Sequence, residues 1–376
     1  MTNDDIQSRF CLNDDIYLLN HSVGKMPTST RAFVEQNYFA PWESSASDPW
    51  QQWLTVIEGF QQALASLFNA KPSEFCPQTN ISSGLVKVLG ALTPTSGKTV
   101  LLYSENDFPS TGFVIQQAEK LGFSPKTISK ECDPQDINVW QEHLTDEVAA
   151  VLIAHVHYNT SRLIPVAEIC SLCRKKEIFS IVDIAQSAGI VPIDFSQWEA
   201  DAILGSCVKW LCGGSGAGYL WMRDKVALTL SPKDVGWFSH QSPFEFDINH
   251  FQYHQSVLRF WGGTPSVAPF CIASNSISEI NNIGVDRIRQ HNRLLTQHLV
   301  DQLPDSSHQL NSPSSPERRG GTLVIQLSAQ KEKTICEALT LNRFQFDARA
   351  LGIRISPHIY NTVDQVNQLS TILTCK

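Results

Sequence analysis

The chain lacks the features that would assign it to a membrane, to nucleic acid or to a disulfide-stapled secreted class. No stretch of its 376 residues approaches the ~18 consecutive apolar positions needed to span a bilayer. The opening MTNDDIQSRF is polar and acidic, without the apolar centre of a secretory signal. Charge of one sign never collects into a run, and a net charge of -8 leaves no basic stripe, so nucleic acid and anionic membranes are poor partners. No GxGxxG follows the first apolar strand, which removes a dinucleotide-binding reading. No segment repeats at a fixed period. Cys170-Ser-Leu-Cys173 has no second pair to complete a zinc site, so no metal is expected.

What is present points to a globular enzyme-sized chain. Hydrophobic residues make up 42% and charged ones 18%, enough for one large α/β domain plus a smaller one. The ten cysteines are scattered through apolar, periodic segments, among them Cys207 and Cys212, as reduced buried thiols of a cytoplasmic protein are. His155 and His157 alternate on a predicted strand, where they either face one ligand together or pack.

Strand and helix signals alternate through the middle of the chain. Apolar runs at 98–104, 148–155, 178–184, 201–206 and 217–222 read as strands, with helices near 110–121 and 165–176 between them. That rhythm implies βαβ units and a mostly parallel sheet, with ligands beyond the carboxyl ends of its strands. After about residue 265 come a long helical pattern (267–303), a loop rich in Ser, Pro and Gly (304–321), the strand TLVIQLS, a helix from about 330, a short strand near 353–355 and a last helix near 363–373. The expected organisation is an N-terminal arm (1–45), a large domain (46–265) and a small α+β C-terminal domain (266–376).

Three features fall at ligand-binding positions of such a sheet. Asp183 ends the apolar strand FSIVDI. A carboxylate there is costly without a cationic partner, such as a protonated pyridine nitrogen, although it also suits a helix N-cap. Lys209 follows the strand DAILGS between Val208 and Trp210-Leu211, an apolar setting that depresses its pKa and favours the nucleophilic amine. The turn Thr79-Asn80-Ile81-Ser82-Ser83-Gly84 opens a helix whose first N–H groups form a phosphate site, or are merely capped. Phe108-Pro109-Ser110 follows another strand end, where a ring can lie on a planar cofactor.

From Val182 to Leu220 the chain resembles the cofactor core of kynureninases and other class V aminotransferase relatives, enzymes that use pyridoxal 5'-phosphate (PLP). The likeness extends to Asp107-Phe-Pro-Ser110, Val235-Gly-Trp-Phe-Ser-His240, Arg259-Phe-Trp-Gly-Gly-Thr-Pro265, Phe346-Asp347-Ala-Arg349 and Arg354-Ile-Ser-Pro-His-Ile-Tyr-Asn-Thr362. It implies the PLP-dependent transferase fold type I. It also makes Lys209 the Schiff-base lysine, pairs Asp183 with the pyridine nitrogen, and stacks Phe108 on the ring. Ser110 with backbone at Asn80 and Ile81 would hold the phosphate, and Gln186 would hydrogen-bond the cofactor. Trp237 and Thr264 would reach the phosphate across a homodimer interface with shared active sites. Arg354 would take the α-carboxylate of an amino-acid substrate in a bidentate fork.

Four positions depart from the kynureninase pattern. Gln186 stands where that family has a histidine, Val208 where it has a tyrosine, and Thr111 where it has an aspartate. Trp42-Glu43-Ser44 replaces a substrate-recognising histidine. The expectation is therefore a kynureninase-like lyase releasing alanine, with a class V aminotransferase or a cysteine lyase as alternatives, and a non-catalytic PLP-fold protein further behind. A desulfurase is disfavoured because 340–355 contains no cysteine.

Overall fold

The computed structural model describes residues 3–44, 46–303 and 308–374. Residue 45, at the predicted end of the arm, and residues 304–307 of the predicted loop lie outside them. A seven-stranded sheet is built from β1 (Phe75–Gln78), β2 (Val100–Ser104), β3 (Ser124–Ile128), β4 (Val148–Ala154), β5 (Phe179–Asp183), β6 (Ala202–Ser206) and β7 (Gly218–Met222). Its order is β1-β7-β6-β5-β4-β2-β3. The β3-β2-β4-β5-β6 portion is parallel, and β7 runs antiparallel to both neighbours.

Helices cover both faces, so the inner strands read as continuous apolar runs. Successive side chains of one strand serve different cores, as the period of 2 dictates. Leu102, Val151, Ile153 and Ile203 pack on one side, while Leu101, Leu152, Ile181 and Leu204 pack on the other. Each such aliphatic side chain contributes roughly 1.5–3 kcal/mol by leaving water.

Two strands carry no such signal. β3 is SPKTI, an edge strand alternating between exposed and covered. β1 contains Pro77, tolerated because β1 is the opposite edge and needs only one ladder. The long helical pattern after 265 is two helices, Ala268–Ile283 and Val285–Gln302, broken at Gly284 with φ of 90°.

The C-terminal part forms a four-stranded antiparallel sheet from β8 (His308–Leu310), β9 (Leu323–Leu327), β10 (Asp347–Arg349) and β11 (Gly352–Ile355), ordered β10-β11-β9-β8. The predicted loop thus contains a short strand. The N-terminal segment joins this unit: Ile16–Tyr17 pairs in parallel with Phe344–Gln345, and Ile16 and Leu18 sit in its apolar core. Among the described residues no helix is long and apolar enough to cross a membrane.

Candidate active site

The carboxyl ends of β4, β5 and β6 deliver Ala154, Asp183 and Ser206 to a cavity of about 620 Å³. The turn after β2 adds Asn106, Phe108, Ser110 and Thr111, and the turn after β1 adds Asn80 to Ser83. Lys209 and Gln186 complete the wall beside Asp183. Eight of the ten predicted site residues are therefore near one another or near this wall: Asn80, Ile81, Phe108, Ser110, Asp183, Gln186 and Lys209 line it, and Arg354 stands directly behind it.

Each side chain has a local reason for its place. Asn80 adopts an extended backbone and its Oδ1 accepts from Ser83 N at 2.9 Å, capping the helix Ile81–Ala91. The N–H groups of the first turn have no partner within the helix and carry its positive dipole end, which suits a phosphate. Lys87, on the same helix, donates to the carbonyls of Phe260 and Trp261 at 3.0 and 2.6 Å, tying the helix to the 259–265 segment. Asp183 Oδ1 accepts from Ala185 N at 2.8 Å. Burial nevertheless pushes the Asp183 carboxyl up, with that hydrogen bond and the Lys209 charge only partly opposing it. Burial pushes the Lys209 amine down, against the attraction of Asp183, and nearby Arg354 lowers it further. The Lys209 Nζ lies 5.6 Å from the centre of the Phe108 ring.

The residues fit PLP. An acid and an amine, each destabilised in its charged form, face one cavity whose floor is a helix N-terminus and whose side is an aromatic ring.

Three predicted residues stand apart from the lining. Arg354 is buried, and its guanidinium is already engaged: Nε and Nη2 donate to Asp347 at 2.8 and 2.5 Å, and Nη1 donates to the Tyr158 carbonyl at 3.2 Å. Tyr158 itself lines the cavity. Trp237 and Thr264 are brought together, Trp237 Nε1 donating to Thr264 Oγ1 at 3.2 Å, but neither lines the cavity of its own chain. His155 and His157 are both buried and neither lines the cavity. His155 packs edge-on against Trp198, and His157 lies beside Asp107. Cys170 and Cys173 are buried free thiols on one helix.

Sequence reasoning missed Tyr158, Asn106 and Ser206 in the wall, and His21, Gly24 and Asp347 behind it. His21 Nε2 lies 3.2 Å from Asp347, its Nδ1 2.6 Å from Ser356 Oγ, and its carbonyl accepts from Gln186 at 3.1 Å. Gly24 N donates to the Val208 carbonyl at 2.9 Å. The N-terminal segment therefore runs directly beneath the lysine.

The family model described as aminotransferase class-V matches residues 16–369. The chain belongs to the aminotransferase class-V family. Its members are PLP-dependent, and this chain is a PLP-dependent enzyme of that family. An uncharacterized aminotransferase, YcbU of Bacillus subtilis, is 27% identical over 84% of this chain and 83% of its own length. A kynureninase of Koribacter versatilis is 25% identical over 91% of this chain and 85% of its own. Among solved structures, a cysteine desulfurase from Thermococcus onnurineus superposes with a TM-score of 0.87 at 18% identity, covering 98% of this chain and 96% of that one. A C-DES mutant with glycine covalently linked to its PLP cofactor gives 0.87 at 21%, covering 98% of each. These class V likenesses establish the fold type I architecture that the resemblance implied.

Proposed function

We propose that the chain converts an α-amino acid by cleaving a bond in its side chain, as a kynureninase-like lyase, with Lys209 holding PLP. The observation that carries this reading is the convergence of the Lys209 amine, the Asp183 carboxylate and the N-terminus of the helix Ile81–Ala91 on one cavity. Bound there, the cofactor supplies an electron sink for the charge left at the substrate carbon when a bond is broken.

The chain's own residues divide the remaining work. Lys209 Nζ would hold the cofactor and would be the group placed to move the substrate's α-proton. Its burial keeps a neutral amine available for that task. Asp183 would pair with the cofactor's ring nitrogen and favour its protonated form. Phe108 would lie against the ring, and Gln186, whose Nε2 donates to the His21 carbonyl, would be free to accept a hydrogen bond through its oxygen. Ser110 and the backbone at Asn80 and Ile81 hold the phosphate. In a homodimer, Trp237 and Thr264 serve the phosphate of the partner's site.

Arg354 binds the substrate carboxylate in a changed way. A guanidinium has two forks, and Asp347 occupies the Nε/Nη2 one. The carboxylate is left with the Nη1/Nη2 end, where it competes with the Tyr158 carbonyl.

A second reading, transamination or elimination from a cysteine-type substrate, is favoured by Val208, Gln186 and Thr111. None of them exchanges a proton near neutral pH, and each acid or base missing from kynurenine hydrolysis costs roughly 10² to 10⁴ in rate. Both reactions need only Lys209 as base. A desulfurase-type persulfide carrier is disfavoured: Cys207 and Cys212 are fully buried, and burial pushes the Cys212 thiol up to about 12.

The test is an absorbance titration of the PLP-loaded protein with L-kynurenine, then with cystine and a panel of amino acids, assaying alanine, anthranilate, pyruvate and oxo acids. Alanine with anthranilate establishes the lyase, and pyruvate or an oxo acid establishes the second reading. If Lys209→Ala retains the wild-type spectrum and turnover, the role of this lysine is refuted.

A further inference from the structure

Outside the cavity, among the described residues, one group of side chains can converge on a cation. His240, Glu245 and His250 offer ligand atoms that all lie within 4.8 Å of one another. They line a second cavity of about 330 Å³ beneath the loop that follows Trp237.

His240 carries the decisive observation. It is only 7% exposed, and its Nε2 is buried with no hydrogen-bond partner. Its Nδ1 lies 2.9 Å from both the carbonyl oxygen and the nitrogen of Ser242. The Ser242 N–H donates to Nδ1, so binding an ion at Nε2 shifts the ring to the tautomer in which Nδ1–H donates to the Ser242 carbonyl instead. That is the backbone support that ligating histidines have. Opposite it, His250 Nδ1 meets Glu245 Oε1 in a short contact, and His250 Nε2 lies 2.9 Å from Gln252 Nε2.

We propose that His240, Glu245 and His250 form a binding site for a divalent transition-metal cation, with zinc as the fitting ion. Two imidazole nitrogens and one carboxylate oxygen are a zinc donor set with a fourth position open to water. Calcium and magnesium prefer all-oxygen shells. Tetrahedral bonds of about 2.0–2.2 Å put ligands roughly 3.4 Å apart. Closing the site therefore requires the loop to contract by no more than about 1.5 Å, and its residues Phe246 and Ile248 are exposed. The cysteine and strand-histidine patterns in the sequence pointed away from metal; this site arises from a loop with no such pattern.

The site's position gives the ion a task. Phe246 stacks on Trp237 with ring centres 5.7 Å apart, and Phe244 meets the same ring edge-on at 5.4 Å. A bound ion would clamp the loop carrying both phenylalanines and hold it against Trp237.

The test uses the PLP-loaded protein, titrated with zinc chloride by calorimetry, with retained zinc counted by mass spectrometry after desalting. Free cysteines also take zinc, so the comparison is with Glu245→Gln and His250→Gln, both at exposed positions, and with Cys336→Ser as a control. The expected result is one zinc per chain in the wild type and the control. Affinity should be lower by at least about tenfold in both loop variants, and zinc should slow proteolysis within 241–252. Equal zinc uptake by the wild type and both loop variants, or no uptake by the wild type at micromolar zinc, overturns the proposal. Neither result bears on Lys209 or its cavity.

Discussion

Replacing Asp347 by asparagine tests how Arg354, proposed to bind the substrate carboxylate, is aimed. Asp347 accepts from two nitrogens of Arg354 and lies 3.2 Å from His21 Nε2. Burial alone would raise its carboxyl, but the hydrogen bonds and charges of Arg354 and His21 outweigh burial and hold it well below the usual carboxylate range. Asparagine keeps the shape but offers one acceptor where two donors point, and it removes the counter-charge from a guanidinium that is 6% exposed. One hydrogen bond to a charged group is worth about 1.5–3 kcal/mol. The variant should lose about 2 kcal/mol of stability, seen as a Tm lower by roughly 2–3 °C for a chain of this size. With its Nε/Nη2 fork released, Arg354 should turn away from the cavity, and amino-acid binding should weaken by about tenfold, equal to 1.4 kcal/mol. PLP affinity should not change, since Asp347 does not line the cavity. Spectral titration of the PLP-loaded variant with substrate separates the two constants. Substrate affinity that is unchanged or improved would refute the reasoning, because Asp347 would then be a competitor for Arg354. The pH dependence follows with a definite sign. A carboxyl with a depressed folded pKa stabilises above its unfolded value, so this contribution should persist at neutral pH and fall away only below about pH 4.

Asp107 should behave in the opposite sense. Burial pushes its carboxyl up to about 8 and pushes neighbouring His157 down to about 4, so both are neutral at pH 7. A raised carboxyl stabilises fully below its unfolded pKa and loses that contribution as pH rises through the folded one. His157 acts in the opposite sense, adding stability as pH rises from about 4 to its unfolded value near 6.5, so the net decline measured by denaturant should appear between about pH 6.5 and 8; Asp107→Asn should remove it, and an unchanged slope there would refute the assignment. Gly24→Ala places a Cβ 2.2 Å from the Lys209 carbonyl oxygen and 2.6 Å from Cys212 Sγ. Overpacking of this kind costs about 1–3 kcal/mol, and PLP retention should fall with it; a variant as stable as wild type would mean the segment moves aside freely.

Legibility in the sequence followed burial. Strands covered on both faces, such as Val148–Ala154 and Phe179–Asp183, stood out as apolar runs, and so did the cavity-facing residues at their ends. The edge strands Ser124–Ile128 and Phe75–Gln78 did not, because an edge strand needs neither an apolar run nor freedom from proline. In the site, Asp183, Lys209 and the Asn80 cap were readable because each conflicts with its surroundings or begins an element. His21, Gly24 and Asp347 were not, since their roles come from contacts between distant parts of the chain. The loop from His240 to His250 was opaque for a related reason: its histidines are brought together by a turn, with no helical or strand period between them.

The pairing of Ile16–Tyr17 with Phe344–Gln345 has a consequence for biosynthesis. Arg343 and Asp15, 328 residues apart in the chain, are hydrogen-bonded beside that pairing, and Ser356 N donates to the Leu18 carbonyl. Bringing such distant segments together is an entropic cost met late in folding. On the ribosome, the large sheet can assemble while the first 24 residues still wait for a partner that has not been made. Nascent chains halted before residue 344 are expected to protect the sheet from protease yet leave the segment beneath Lys209 open, so that cofactor capture follows release of the finished chain.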